Sequence, residues 1–341
     1  MQWIDEPVFT AYNAGRQYHS NAWGNILQTD ITGCPYRCSF CWVHDEALAG
    51  RVNSNFLKNK IGKLPSALKK SMEDKGVITA DELYDVLEKK AKTLEAKGQK
   101  IDLFTFSGGS PTLYRGGLLR FAELAKEHGR KIGVYTEGFH IAANEGYLKP
   151  FVDKGLQDTV QFYVSVKNAT PDTFKQLTGV SKEFSESHFI AAKKLMENGF
   201  LTYVGGTELD TLATADQLKL EGNENPIVAL HKKLTDIHPD LPRAITYNKV
   251  TFGQVHDPKG QAKKMRAREY TNEKGTKSNM APALVKERLE CYFKEQGTPI
   301  MPFSDESPRS ENGLELLEKI RDDLSRVRKR VGKSGPKLEI V

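Results

Sequence analysis

Asn25-Ile26-Leu27-Gln28-Thr29-Asp30-Ile31-Thr32 runs directly into Gly33-Cys34-Pro35-Tyr36-Arg37-Cys38-Ser39-Phe40-Cys41. The first half reads as a strand, and Gly33 ends it. The second half is a Cys-x3-Cys-x2-Cys array holding three of the chain's four cysteines. Thiolate sulfur is the preferred ligand of iron–sulfur clusters. Three sulfurs can hold three corners of a four-iron cube, leaving one iron open to a ligand from outside. The same residues with His44 would also make a Cys3His zinc site, which needs four closed ligands. Zinc ligands usually come as two pairs from separate segments. The remaining cysteine, Cys291, is 250 residues beyond Cys41. Four cysteines in 341 residues do not form a disulfide framework.

Working outward from this stretch, strand-like and helix-like segments alternate. Strands are expected at 25–32, 101–106, 131–135, 160–166, 201–204 and 243–252. Helices are expected at 79–97, with Thr79 as N-cap, and at 118–128, stopped by Gly129. Others are expected at 141–154, broken near Pro150, and at 184–198 and about 214–237. Six β-α units in a row imply parallel strands with right-handed crossovers. The expected fold is α/β, a partial (β/α)6 TIM-type barrel of parallel strands with a mainly helical C-terminal extension. Six strands instead of eight leave a side gap that suits a large substrate.

The expected domain organisation is a lead at 1–24, the barrel at 25–260 and a basic extension at 261–341. A Lys-rich insertion interrupts the barrel at about 46–77, where long loops beside active sites serve as lids or docking loops. Helices are expected in the extension at 282–296 and 311–330. Cys291 falls in the first of these and reads as a small buried hydrophobe.

The bulk numbers exclude several classes. Hydrophobic content of 38% with 28% charge describes an ordinary globular protein. No apolar stretch is long enough to span a bilayer, and the first thirty residues hold no signal-peptide core. Reduced thiols without an export signal imply a cytoplasmic protein with no membrane partner. Residues 241–341 carry 21 Lys and Arg against 14 Asp and Glu, so all of the chain's +6 excess lies there. Such a bias suits a polyanion such as RNA, although interspersed acids also describe a solvated helix face.

Active sites in parallel sheets form at the C-terminal strand ends. Every chemical signal here falls at such an end: the cysteine loop, then Ser107-Gly108-Gly109-Ser110-Pro111, then Thr136-Glu137-Gly138, then Ser165-Val166-Lys167, then Gly205-Gly206.

The cysteine spacing, with aromatic Phe40 before the third cysteine, resembles the radical S-adenosylmethionine (radical SAM) superfamily. The resemblance implies that Cys34, Cys38 and Cys41 bind one [4Fe-4S] cluster whose open iron is chelated by S-adenosylmethionine. Reductive cleavage then gives a 5'-deoxyadenosyl radical that abstracts hydrogen from a substrate. It implies further that Phe40 packs on the adenine edge. Ser107-Gly108-Gly109-Ser110 is similar to the family's Gly-Gly-Glu-Pro turn beside the methionyl amino group, with Ser110 replacing the acid. Glu137, where the family's motif has Asn, would accept from the ribose hydroxyls. Ser165 and Lys167 stand in the place of an Asp-x-Lys motif, with Lys167 on the cofactor carboxylate. Gly205 is the contact implied at the fifth strand end.

The segment 171–179 resembles the glycyl-radical activating enzymes, which implies an electron donor such as flavodoxin or ferredoxin and a glycine of a partner protein as substrate. Residues 161–166 and the Cys41-Trp42 pair also resemble the tRNA wybutosine-forming radical SAM enzymes, which keeps an RNA substrate open. That family's second set of cysteines has no counterpart here.

Overall fold

The computed structural model describes residues 3–20, 24–38, 41, 43, 45–50, 64–207, 221–248, 270–271, 277–278, 281–300 and 311–331. Its centre is a seven-stranded sheet in chain order. The strands are β1 (Ala11–Ser20), β2 (Gly24–Ile31), β3 (Leu103–Gly108), β4 (Ile132–Thr136), β5 (Val160–Val166), β6 (Leu201–Thr207) and β7 (Thr246–Asn248). From β2 to β7 every neighbouring pair is parallel, as the alternation implies. The expected partial barrel of six parallel strands is therefore present.

The strand the sequence does not announce is β1, which lies in the expected lead and pairs antiparallel with β2. Its register shifts twice between Ala11 and Arg16, and Gly15 within that stretch has φ +72. A bulge of this kind breaks the period-two pattern by which strands are recognised. Within this sheet the other differences lie at strand ends, while the helix expected at 141–154 is two short helices, Phe139–Ala142 and Lys149–Asp153, with the break before Pro150. β3 runs through Ser107 and Gly108, because Asp30 and Ile31 pair with them. β6 likewise runs through Gly205 and Gly206 to Thr207, paired with β7. β7 is shorter than expected at its start because Leu241–Ala244, with Pro242, forms a 3-10 turn. Residues 249–252 lie outside the described residues.

Residues paired across parallel strands share a face of the sheet. One face carries Phe104, Phe106, Ile132, Val134, Phe162, Val164 and Val204, all buried. Helices Ala80–Glu95, Arg115–Glu127 and Ser187–Glu197 pack on this side, and Phe121 sets its ring edge-on to Phe106 at 4.9 Å. Thr79 caps the first of these helices as expected. Glu82 N–H donates to Thr79 Oγ1 at 3.2 Å, and Thr79 N–H donates to the Glu82 carboxylate at 2.9 Å. The opposite face is polar: Gln28 lies beside Thr105, Asp30 beside Ser107, and Tyr163 between Tyr135 and Tyr203.

The described part of the expected insertion is largely helical. Asp45–Leu48 is one turn and Ser66–Lys75 a longer helix, with Ile78–Thr79 paired to Val8–Phe9. Residues 51–63 lie outside the described residues. In the C-terminal extension, helices Ala281–Glu295 and Glu311–Val331 place Leu289, Phe293, Leu317 and Ile320 in the same core cluster as the barrel helices. Cys291 corrects the expectation of burial: it is exposed. Leu289 and Phe293 point inward, and a residue midway between an i, i+4 pair faces away from it.

Candidate active site

The cysteine loop is anchored at its root by backbone bonds. Gly33, at φ +75, donates to Ala47 O at 2.7 Å, and Cys34 N–H donates to Leu48 O at 3.1 Å. Ser110 N–H donates to Gly33 O at 2.6 Å. Further along, Arg37 N–H donates to Thr178 O at 2.8 Å, while its guanidinium donates to the carbonyls of Cys34 and Tyr36. Tyr36 is buried between the edges of Phe139 and Phe174, and its hydroxyl lies 2.6 Å from Ser187 Oγ. Within the array, Cys41 N–H donates to Cys38 O at 3.0 Å.

Cys34, Cys38 and Cys41 are each half-buried, and none is in a disulfide. Cys34 and Cys41 pack against Tyr12, Val43, Ala47 and Leu48. Burial pushes the Cys34 thiol far above its ordinary value, and the Glu137 carboxylate adds to this. Burial pushes Cys38 to about 12, against a lowering influence from Lys167. Burial thus disfavours the thiolate form of Cys34 and Cys38, and metal binding there would release protons. Among the described residues no three Cys, His, Asp or Glu side chains converge closely enough to hold a single metal ion. Three thiolate donors in one loop are the donor type that iron–sulfur clusters take. His44 and Phe40 lie outside the described residues.

The glycine pair serves the cysteine loop. A Cβ on Gly109 would lie 2.2 Å from Gly33 O, and Gly108 has φ +90. The backbone of the Gly-Gly turn therefore presses on the residue preceding Cys34, a contact no larger side chain permits. Next to it, Ser110 is fully buried and its hydroxyl donates to Glu137 Oε1 at 2.8 Å. Glu137 is 5% exposed, and burial raises its carboxyl above the usual carboxylate range. The backbone amides of Glu137 and Phe139, the Ser110 hydroxyl and Lys167 act in the opposite direction. Gly138, at φ +84, makes the turn that follows, where a Cβ would lie 2.7 Å from that of Ala191. On β5, Ser165 is half-buried beside buried Gly205, and Lys167 follows the strand, half-buried.

Several residues escape the sequence reading. Thr112 Oγ1 lies within 3.4 Å of Ser110 Oγ, Thr136 Oγ1 and His140 Nδ1, which links the second and third strand ends. His140 is buried, and burial pushes it down to about 4. On the polar face, buried Asp30 accepts from Asn13 at 2.7 Å and Gln28 at 2.5 Å. Arg16 lies 3.8 Å from it. Gln28 and Asp30 do carry a signal, since polar residues at i and i+2 are unusual in a strand buried on both sides.

A parallel α/β partial barrel with a thiol trio at its first parallel strand end defines a class of cofactor-dependent barrel enzymes. The profile of the radical SAM superfamily matches residues 29–210, more than half of the chain. The chain belongs to the radical SAM superfamily, a family of enzymes that hold an iron–sulfur cluster and bind S-adenosylmethionine. No curated protein sequence matches it.

Among solved structures it is similar to Streptococcus suis SuiB, with TM-score 0.43 and 13% identity over 79% of this chain and 46% of that one. It is also similar to a radical SAM methyltransferase from Sphaerobacter thermophilus, with TM-score 0.39 and 16% identity over 62% and 52%. QueE from Escherichia coli matches with TM-score 0.36 and 15% identity over 70% and 83%. The match thus spans less than half the length of SuiB. Among the described residues no helix is long and apolar enough to cross a membrane.

Proposed function

We propose that Cys34, Cys38 and Cys41 hold one [4Fe-4S] cluster, and that the adjoining strand ends bind S-adenosylmethionine for hydrogen abstraction from a substrate on the polar face of the sheet. The observation that carries this is the seating of the cysteine loop on the Gly108-Gly109 turn, beside a buried carboxylate and a lysine. When bound, the cluster and its sulfonium partner supply a one-electron reduction and a hydrogen-abstracting radical.

The chain's own residues supply placement. The thiols fix the metal, and Ser107, Gly108, Gly109 and Ser110 form the second strand-end rim. Glu137 and Lys167 offer opposite charges on the next two strand ends, with Ser165 on the strand that Lys167 follows and Gly205 on the next. The polar face, with Gln28, Asp30, Thr105 and the tyrosines, offers hydrogen-bonding groups to a substrate. The partner we propose for reduction is a small electron-transfer protein such as flavodoxin or ferredoxin.

For the substrate, the segment of helix Pro171–Thr178 supports a partner-protein glycine, because of its likeness to the activating enzymes. That helix ends at the carbonyl that anchors Arg37 in the cysteine loop. RNA is the second reading, supported by the exposed Arg326 and Arg328 on helix Glu311–Val331.

Anaerobic reconstitution with iron and sulfide, then S-adenosylmethionine and dithionite, should give brown protein and 5'-deoxyadenosine. Cys38→Ala should abolish that product. Persistence of the product in the variant would show the ligand set to be wrong. Steeply salt-dependent tRNA binding would favour the RNA reading.

A further inference from the structure

The chain from Gly33 to Leu48 closes on itself. Gly33 N–H donates to Ala47 O at 2.7 Å and Cys34 N–H to Leu48 O at 3.1 Å, so the two ends of the cysteine loop are bonded together. Surface loops whose ends meet are packed by their own side chains. Of the described residues, Val43, Ala47 and Leu48 do this here, each no more than 3% exposed. Cys34 and Cys41 pack against them. The remaining member of this apolar cluster comes from outside the loop: Tyr12, on β1.

Tyr12 reaches the loop because β1 is irregular at that point. Ala11 pairs with Ile31 and Asn13 with Asp30, so Tyr12 is an extra residue against a single step of β2. A bulge of this kind re-aims a side chain beside a site. Asn13 stays with the sheet and donates to Asp30 at 2.7 Å, while Tyr12 joins the cluster around the thiols. Tyr12 is 5% exposed, and its hydroxyl is buried. Among the described side chains of that cluster, only the two cysteine sulfurs can accept a hydrogen bond. Burial pushes the Tyr12 phenol far above its ordinary value, and Asp30 and Cys41 add to this. It therefore stays a neutral donor. Asp30, the other acceptor in reach, already accepts from Asn13 and Gln28.

An iron–sulfur centre on these thiols gains one negative charge when an external reductant gives it an electron. The wall and the hydroxyl act on that charge in opposite directions. Apolar side chains that exclude water make the added charge costly and lower the reduction potential. A hydrogen bond to a ligand sulfur favours the reduced form and raises it.

We propose that Tyr12 sets the reduction potential and the solvent seal of the metal centre. Its ring completes the wall of Val43, Ala47 and Leu48 against Cys34 and Cys41, and its hydroxyl donates to a ligand sulfur. This rests on the reading of the thiol trio as an iron–sulfur site.

The test is anaerobic titration of reconstituted protein with dithionite, the reduced cluster being followed by electron paramagnetic resonance. At the wild-type midpoint, Tyr12→Phe should lower the ratio of reduced to oxidised cluster about 3- to 10-fold, a fall of about 30 to 60 mV for one electron. Leu48→Ala opens the wall and leaves the hydroxyl, so its potential should rise and its iron should pass to a chelator about 10-fold faster. Tyr84→Phe removes a buried hydroxyl whose ring packs on Phe104, Phe121 and His128, and it should match wild type in both readouts.

Should Tyr12→Phe take up no iron, 3-fluorotyrosine is placed at position 12 instead. It keeps the shape and donates more strongly, so the potential should rise. An unchanged or raised potential in Tyr12→Phe overturns the proposal, and is the result expected of a hydroxyl committed to Asp30. An unchanged potential in the fluorinated protein, or unchanged iron loss in Leu48→Ala, overturns it equally. Wild type that takes up no iron overturns the reading of the trio itself.

Discussion

Tyr36 and Ser187, 151 residues apart in the chain, meet in a 2.6 Å hydrogen bond between buried hydroxyls. This bond ties the cysteine loop to helix Ser187–Glu197, which packs on β5 and β6. The loop that carries the thiols is therefore tethered to the far side of the barrel. Tyr36→Phe removes the hydroxyl and leaves the ring in place between Phe139 and Phe174. It should cost about 1 kcal/mol of stability, the usual net worth of such a bond. Ser187 keeps its own bond to Phe184 O at 2.7 Å, so no orphaned donor adds to that figure. Chemical denaturation gives the stability, and the rate of cluster loss to a chelator, expected to rise, reports the tether.

Gly109→Ala should damage the site more than the fold. The new methyl would sit 2.2 Å from Gly33 O, which is backbone and cannot rotate away. The cysteine loop must shift to admit it. Expected outcomes are retained far-UV circular dichroism and iron uptake reduced several-fold. Uptake equal to wild type would show that the turn does not seat the loop.

Two buried histidines make stability pH-dependent. His140 is pushed down to about 4 and His188 to about 3, both chiefly by burial. Their folded pKa values lie below the unfolded value of about 6.5. The unfolded chain therefore binds more protons as pH falls, and stability is lost below that value until the folded pKa is reached. At pH 5 each should cost about 2 kcal/mol relative to pH 7, from a shift in population of about 1.5 pH units. Thermal unfolding at pH 7, 6 and 5 checks this. His188→Asn should flatten the slope, whatever its effect on stability at pH 7.

Most of the barrel was legible because parallel strands buried on both faces leave dense apolar runs between caps and glycines. The 160–166 segment matches β5 at both ends for this reason. The cysteine spacing and the strand-end clustering are what point to the candidate site in the sequence. What stayed hidden depends on contacts distant in sequence. The bulge at Gly15 disguised β1, and the loss of Cys291 to solvent depends on which face of its helix meets the barrel. The bond between Ser110 and Glu137 links residues 27 apart at two different strand ends, and neither motif alone predicts it.

The bulge has one more effect, on the margin of the sheet. β1 is the terminal strand of the order on its side, and a long regular margin would template addition of a second chain. At Gly15 the ladder is broken and the carbonyl is already capped by Lys90 Nζ at 2.6 Å. A neighbouring copy would find an interrupted rail guarded by a cation, a poor template for edge-to-edge pairing.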